Sequence, residues 1–155
     1  MDALTYYQSL PKKRVGSGAL FFNEAGELLI VKPNYKEYWL IPGGVINENE
    51  PPLKGCLREI KEEIGLEIDR LDFIGVDYTL PNENKTESFQ FIFNGGVLTL
   101  EQISRIKIQT EELDEFKFIK VEAALLLFSE WFRRRILKCL EAIKNNKAVY
   151  LEDGN

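Results

Sequence analysis

The sequence predicts an α/β fold, with a mixed sheet packed between helices. Three observations carry that expectation. Short apolar segments of strand character recur along the chain, two longer stretches show helical periodicity, and strands separate those two stretches. A length of 155 residues fits one domain, expected to span 1–155.

Taken in order, Val15 to Phe22, with Gly16 and Gly18, reads as a strand near close backbone contacts. Asn23-Glu24-Ala25-Gly26 is a turn, and Leu28 to Val31 returns as a short apolar strand. Trp39-Leu40-Ile41 reads as another extended piece, ended by Pro42-Gly43-Gly44. Pro51 and Pro52 suit the first turn of a helix, where a missing N–H costs nothing. That helix runs to about Ile64 and stops at Gly65, with Leu53, Leu57, Ile60 and Ile64 as its apolar stripe. Phe73 to Leu80 and Ser88 to Phe93 read as strands flanking the polar stretch Pro81 to Glu87. Asn94-Gly95-Gly96 reads as a tight turn, with Val97 and Leu98 continuing in extended form. Phe116 to Val121 is a last strand, and Leu125 to about Lys144 a long helix with Phe128, Phe132, Ile136, Leu140 and Ile143 on one face.

Composition narrows the chemistry. There is no histidine, which removes the commonest general base and most zinc sites. The net charge of −5 disfavours gripping a long nucleic acid polymer by its backbone. Cys56 and Cys139 stand in no ligand or redox spacing and read as reduced, buried thiols. No apolar run reaches membrane-spanning length and no export signal is visible, so a cytoplasmic protein with no membrane partner is expected. An acidic protein that handles phosphates calls for divalent cations as intermediaries.

On the first helix, Glu59, Glu62 and Glu63 recur at i, i+3 and i+4, so their carboxylates share a face. Left alone they repel, and the bland reading is a solvated face paired with Arg58 and Lys61. Clustered carboxylates without histidine or cysteine instead suit a hard cation, magnesium or manganese. The residues leading in favour that second reading. The run Gly44 to Leu66 reads GVINENEPPLKGCLREIKEEIGL. Gly44, Glu50, Arg58-Glu59-Ile60, Glu62-Glu63 and Gly65-Leu66 resemble the Nudix box at every fixed place. Seven fixed identities would match by chance on the order of once in a hundred million placements.

The resemblance implies a Nudix-type α/β/α sandwich. It also implies a metal site using Glu59 and Glu63, with Glu62 as third carboxylate and the Gly43 backbone carbonyl as a further ligand; Mg2+ is the expected cofactor, and Mn2+ an acceptable one. Arg58 matches the arginine that holds the neighbouring carboxylate, and Glu50 a subsidiary charge at the loop–helix junction. Asn47 and Asn49 depart from the family's usual glutamate and glycine. Asparagine tolerates left-handed backbone angles, so Asn49 suits the turn, whereas Asn47 puts metal number and rate in question.

The implied reaction is attack of water on a diphosphate, with a carboxylate taking the proton. Glu59 is one candidate base. Glu111 or Glu112, before the Phe116 strand, are others, and Glu83 and Glu87 weaker ones. Tyr35, Tyr38, Tyr78 and Phe22 are candidates to stack on a base. Pro81 and Arg133-Arg134-Arg135 identify no ligand, the arginines being expected to spread around their helix and mostly face solvent. The partner expected is a small nucleotide-like diphosphate, such as a nucleotide sugar, met by a monomer or homodimer. Rival readings are hydrolysis of noncanonical or oxidised nucleoside triphosphates and, from another class, a nucleotide-sensing module without turnover. RNA decapping is disfavoured by the acidic balance.

Overall fold

Alternation along the central strands divides the core in two. In a computed structural model describing all 155 residues, strand β1 (Arg14–Phe22) sends Ala19 and Phe21 to one face and Leu20 to the other. Strand β2 (Leu28–Pro33) sends Leu29 and Val31 one way, Leu28 and Ile30 the other. Both faces are apolar because both are covered by helices. With β3 (Gly43–Val45), β4 (Asp72–Thr79), β5 (Ser88–Val97), β6 (Leu113–Ile119) and β7 (Val149–Glu152), they form a seven-stranded sheet. The order is β6-β2-β1-β5-β4-β7, and β3 pairs with β1 off this path. The β1–β5 and β4–β7 pairs are parallel and the others antiparallel, so the sheet is mixed as expected.

Helix α2 (Pro52–Ile64) covers one face through Cys56, Ile60 and Ile64, all fully buried. Each isoleucine so buried contributes roughly 1.5–3 kcal/mol. Leu53, expected in that stripe, is 41% exposed, because the helix meets the sheet through its later turns. Helices α4 (Val121–Leu127) and α5 (Glu130–Asn145) cover the opposite face. There the Phe128 and Phe132 rings meet edge to face at 4.9 Å.

Several elements differ from their expected form. The single helix over Leu125 to Lys144 is two, because the chain is extended at Phe128 and Ser129 caps α5, its hydroxyl accepting from the Phe132 N–H at 3.3 Å. Trp39 to Ile41 is no strand: Leu40 makes one bridge to Val31, and the strand forms three residues later as β3. Asn94-Gly95-Gly96 is not a turn but a bulge within β5. Pairing shifts there from Leu20 with Asn94 to Phe21 with Gly96. Gly95 lies under the Phe21 ring, where a Cβ would come within 2.1 Å of Cε1. The last predicted strand is shifted to β6. Helices α1 (Ala3–Ser9) and α3 (Leu100–Ser104), and strand β7, are too short for periodicity to reveal. No helix is long and apolar enough to cross a membrane.

Arg135 corrects the expectation that the arginine run faces solvent. It is 4% exposed, and its Nε donates to Asp77 Oδ2 of β4 at 2.7 Å. Its Nη2 donates to Thr79 Oγ1 at 3.2 Å, and the Gly154 N–H donates to Asp77 Oδ1 at 3.1 Å. Helix α5 is thus clasped between the sheet and the C-terminal segment with Arg135 interior, while Arg133 and Arg134 stay partly exposed. Asp77→Ala strands the buried guanidinium and should cost about 3–5 kcal/mol in urea denaturation. A loss below about 1 kcal/mol would show that other groups compensate Arg135.

Candidate functional site

Strand β3 is where the site begins. Gly44 and Gly43 pair with Ser17 and Gly18 of β1, and neither has room for a side chain. A Cβ on Gly43 would lie 2.1 Å from the Ser17 carbonyl oxygen, and one on Gly44 would lie 2.4 Å from the Glu59 Cδ. The loop therefore slides between β1 and α2 as bare backbone, and the Glu59 carboxyl fills the space beside it. Asn49 then adopts φ 60, the left-handed conformation its position was expected to need. Pro51 and Pro52 open α2 and Gly65 closes it at φ 73, as the sequence predicts.

Arg58 ties this loop to the helix. Its Nε and Nη2 donate to the two oxygens of Glu50 at 2.8 and 2.9 Å, a bidentate pair. Nη1 donates to Glu59 at 3.0 Å and to Glu62 at 3.1 Å, and Nη2 also reaches the Val45 carbonyl at 3.1 Å. The Asn47 N–H donates to Glu50 at 3.0 Å. Those donors, Arg58 first, hold the Glu50 carboxyl down to about 2.

Glu63 experiences the reverse. It is 8% exposed, and its one hydrogen bond comes from the Gly43 N–H at 3.1 Å. Burial pushes its carboxyl up to about 8 against that bond, and the charges of Glu59, Glu112 and Glu62 add to the rise. Burial also raises Glu59, despite Arg58. As the side chains stand, no three acidic groups converge on one point, and Glu62 is half exposed, bridged to Glu59 by Arg58 Nη1. The donor chemistry nonetheless fits a hard divalent cation: all oxygen, with a buried carboxyl that has no cationic partner and that a cation would help to ionise.

A cavity of about 240 Å³ opens beside this cluster. It runs from Glu63 and Gly43 to Val45, past the start of β1, to Trp131 and Arg135 of α5. The Arg135 guanidinium stacks on the Trp131 ring at 4.2 Å. Gln90 forms part of the wall; its Nε2 donates to Ser88 Oγ at 3.0 Å and its Oε1 covers Gly16. A second cavity of about 190 Å³, bordered by Asp72, Asn94 and Lys147, shares no lining residue with the first.

The remaining candidates divide. Glu112, exposed, stands near enough for its charge to be felt at Glu63, Glu59 and Tyr35, whereas Glu111 supplies a backbone carbonyl that accepts from Asn34 Nδ2 at 2.9 Å. Tyr35 lines the cavity; Tyr38 does not, and Phe22 packs against the core. Tyr78 donates to Glu87, which also pairs with Lys13 at 2.5 Å, so both are engaged away from the cluster. Glu83 is exposed on the turn at Asn82 to Lys85. Arg14, Lys36, Lys85, Gln90 and Trp131 line the cavity. Sequence reasoning singled out none of them, because each comes from a different stretch of chain and none carries a local motif.

The family model for the NUDIX domain matches residues 12–140. The chain belongs to the Nudix hydrolase family. An RNA pyrophosphohydrolase from Hydrogenovibrio crunogenus is 30% identical over 117 residues, covering 67% of this chain and 70% of that protein. The mRNA-decapping enzyme subunit 2 of Saccharomyces cerevisiae is 25% identical over 126 residues. That match takes in 80% of this chain but 13% of the yeast protein, so the Nudix chain spans a small part of that relative's length. Among solved structures, a MutT protein from Methanosarcina mazei Go1 superposes with a TM-score of 0.69 at 25% identity, covering 90% of this chain and 99% of that one. A UDP-X diphosphatase gives 0.72 at 16% identity, over 97% of this chain and 75% of that one, and shows the shared fold. Members of this family generally use divalent metal ions such as Mg2+.

The burial of Glu63 has a consequence for stability. Its carboxyl rises from an ordinary 4.5 to about 8 on folding, so between those values the folded chain binds more protons than the unfolded one. Stability of the metal-free Nudix protein should therefore fall as pH rises through that window. Urea denaturation in chelator at about pH 5 and about pH 8 measures the fall, and Glu63→Gln should flatten it. An unchanged slope in the glutamine variant would mean Glu63 is not its source.

Proposed function

We propose that this Nudix protein is a divalent-metal-dependent hydrolase that cleaves the diphosphate linkage of a nucleoside diphosphate derivative. The observation that carries this reading is the buried, uncompensated Glu63 beside Glu59, under a bare Gly43-Gly44 backbone that opens into a cavity. Glu59, Glu62 and Glu63, with the Gly43 carbonyl, are the groups that would hold the cation. Magnesium or manganese, when bound, supplies positive charge to phosphate oxygens and acidity to water.

The chain's own groups do the rest. Arg58 restrains the Glu59 carboxyl through Nη1 while its other nitrogens are locked on Glu50 and Val45. Glu112 makes no ion pair and its charge is felt at Glu63 and Glu59, which suits it to accept the proton of the attacking water. Glu59, with one oxygen already held by Arg58, stands second in that role. Trp131, backed on one side by Arg135, gives the cavity a flat wall for a nucleobase.

A second reading places a 5′-phosphorylated RNA end in the site. It is favoured by the relative named an RNA pyrophosphohydrolase, which aligns over two thirds of both chains. An RNA end asks for contacts at one terminus rather than along a backbone, and is compatible with a net charge of −5.

A magnesium-dependent release assay over nucleotide sugars, dinucleoside polyphosphates, nucleoside triphosphates and 5′-triphosphorylated short RNA tests both readings. Turnover of one class should vanish with chelator and fall at least about a hundredfold in Glu63→Gln. Failure of the folded wild type on every class would overturn the hydrolase reading. Arg58→Lys keeps the charge but cannot span Glu50, Glu59 and Val45 together. It should lower kcat by about 10–100-fold with little change in fold, and undiminished kcat would remove Arg58 from the machinery.

A further inference from the structure

The mouth of the cavity carries an unanswered positive charge. Lys36, in the loop after β2, and Lys85, in the turn between β4 and β5, line the same cavity from separate parts of the chain. Each lies close enough for the Lys85 charge to be felt at Lys36, whose ammonium is pushed down by partial burial first and by Lys85 second. Neither takes part in an ion pair; the chain's salt bridges use other cations. Both side chains are exposed, Lys36 with its Nζ 5.8 Å from the Tyr35 ring centroid, and no carboxylate pairs with either. Like charge thus gathers on one wall of the cavity, and an anion there would be attracted to both.

The backbone around them is built rather than loose. Lys32 Nζ donates to the Pro33 carbonyl at 2.8 Å and to the Lys36 carbonyl, which pins the first loop. Asn82 Oδ1 accepts from the N–H groups of Asn84 and Lys85 at 2.8 and 3.0 Å, which pins the second. Arg14, also on the cavity wall, donates through Nη2 to the Thr86 carbonyl at 2.9 Å and so ties β1 to the Lys85 turn. The cavity is therefore polarised. Its carboxylate end, at Glu63, suits a cation and the diphosphate being cleaved, whereas its cationic rim has no partner in the chain. A substrate whose only charge is that diphosphate leaves the rim unsatisfied.

We propose that Lys36 and Lys85, supported by Arg14, form a specificity subsite for a further phosphate of the substrate, separate from the diphosphate that is cleaved. The proposal rests on the reading of this cavity as the substrate site. It narrows the substrate class to nucleotides with at least one phosphate more than the scissile pair. That phosphate is either the third in a 5′ chain or an ester on the ribose, as at a 3′ oxygen, and both present the same tetrahedral anion.

Binding measurements that need no turnover test the subsite. With magnesium present, calorimetry compares nucleoside 3′,5′-bisphosphates with 5′-monophosphates for the four common bases, and methylene-bridged triphosphate with diphosphate analogues. In the wild type the ligand with the extra phosphate should bind roughly tenfold tighter in one of the two comparisons, the scale of a charge-assisted contact. A preference in the first comparison places the anion on the ribose; in the second, on the 5′ chain. The Lys36→Gln/Lys85→Gln double variant should lose the preference and the matching Lys36→Arg/Lys85→Arg variant keep it, both melting like wild type. No preference in either comparison, or one that survives the glutamine pair, overturns the subsite. Tight, lysine-dependent binding without hydrolysis of any substrate would instead overturn the hydrolase reading and leave the subsite standing.

Discussion

The site depends on how closely the Gly43-Gly44 backbone approaches β1 on one side and α2 on the other. Gly43 lies against Ser17 and Gly18 with no space for a Cβ, and the hollow beside Gly44 is occupied by the Glu59 carboxyl. A side chain at either place would push the helix off the sheet or the carboxyl out of its seat. Because the contact is backbone to backbone, the Gly43 N–H is free to meet Glu63, one turn beyond Glu59. The apolar stripe of Cys56, Ile60 and Ile64 then holds the same helix against β1 and β2 from its other side. Packing and chemistry thus constrain one another: the residues that press α2 onto the sheet also set the height at which its glutamates stand.

Within that frame the acidic groups are driven in opposite directions. Glu50 collects three donors and sits at about 2, whereas Glu63, with one donor and more burial, is pushed up to about 8. Both come from one short stretch of sequence. The difference lies first in burial, which raises Glu63, and then in where Arg58 points: it holds Glu50 down and makes no bond to Glu63. Glu50 is a satisfied carboxylate that fastens the loop. Glu63 retains an electrostatic cost that the apolar core must offset, and such costs are kept where a ligand relieves them.

The legibility of the sequence follows the range of the interactions. The helix α2, its prolines, its Gly65 cap and the left-handed Asn49 are local consequences of residue type and were all readable. The layered mixed sheet was readable from strand alternation and order. The break at Ser129 was not, because Phe128 and Phe132 continue an apolar period across it and a capping serine competes unseen. Asn94-Gly95-Gly96 looks like a turn by composition. Only the neighbouring Phe21 ring, far away in sequence, shows that Gly95 is there for space. Arg135 was misread for the same reason, since its partner Asp77 is 58 residues away.

That contrast explains why the chemistry was easier to infer than the substrate. The glutamates come from one helix, so a single stretch of chain specifies them. The cavity is assembled from the first residues of β1, the Asn82 to Lys85 turn, the loop after β2 and helix α5. Each piece is anchored separately: Arg14 on Thr86, the turn on Asn82, Lys36 through Lys32, and Trp131 against the Arg135–Asp77 pair. Any one can change its exposed side chain without disturbing the carboxylates or the sheet. A fold shared at 16% identity with a UDP-X diphosphatase, and a chain 30% identical to an RNA pyrophosphohydrolase, are therefore compatible with a third specificity. The subsite proposed at Lys36 and Lys85 would put substrate choice at the rim, where two lysines stand without an ion pair on separately anchored loops.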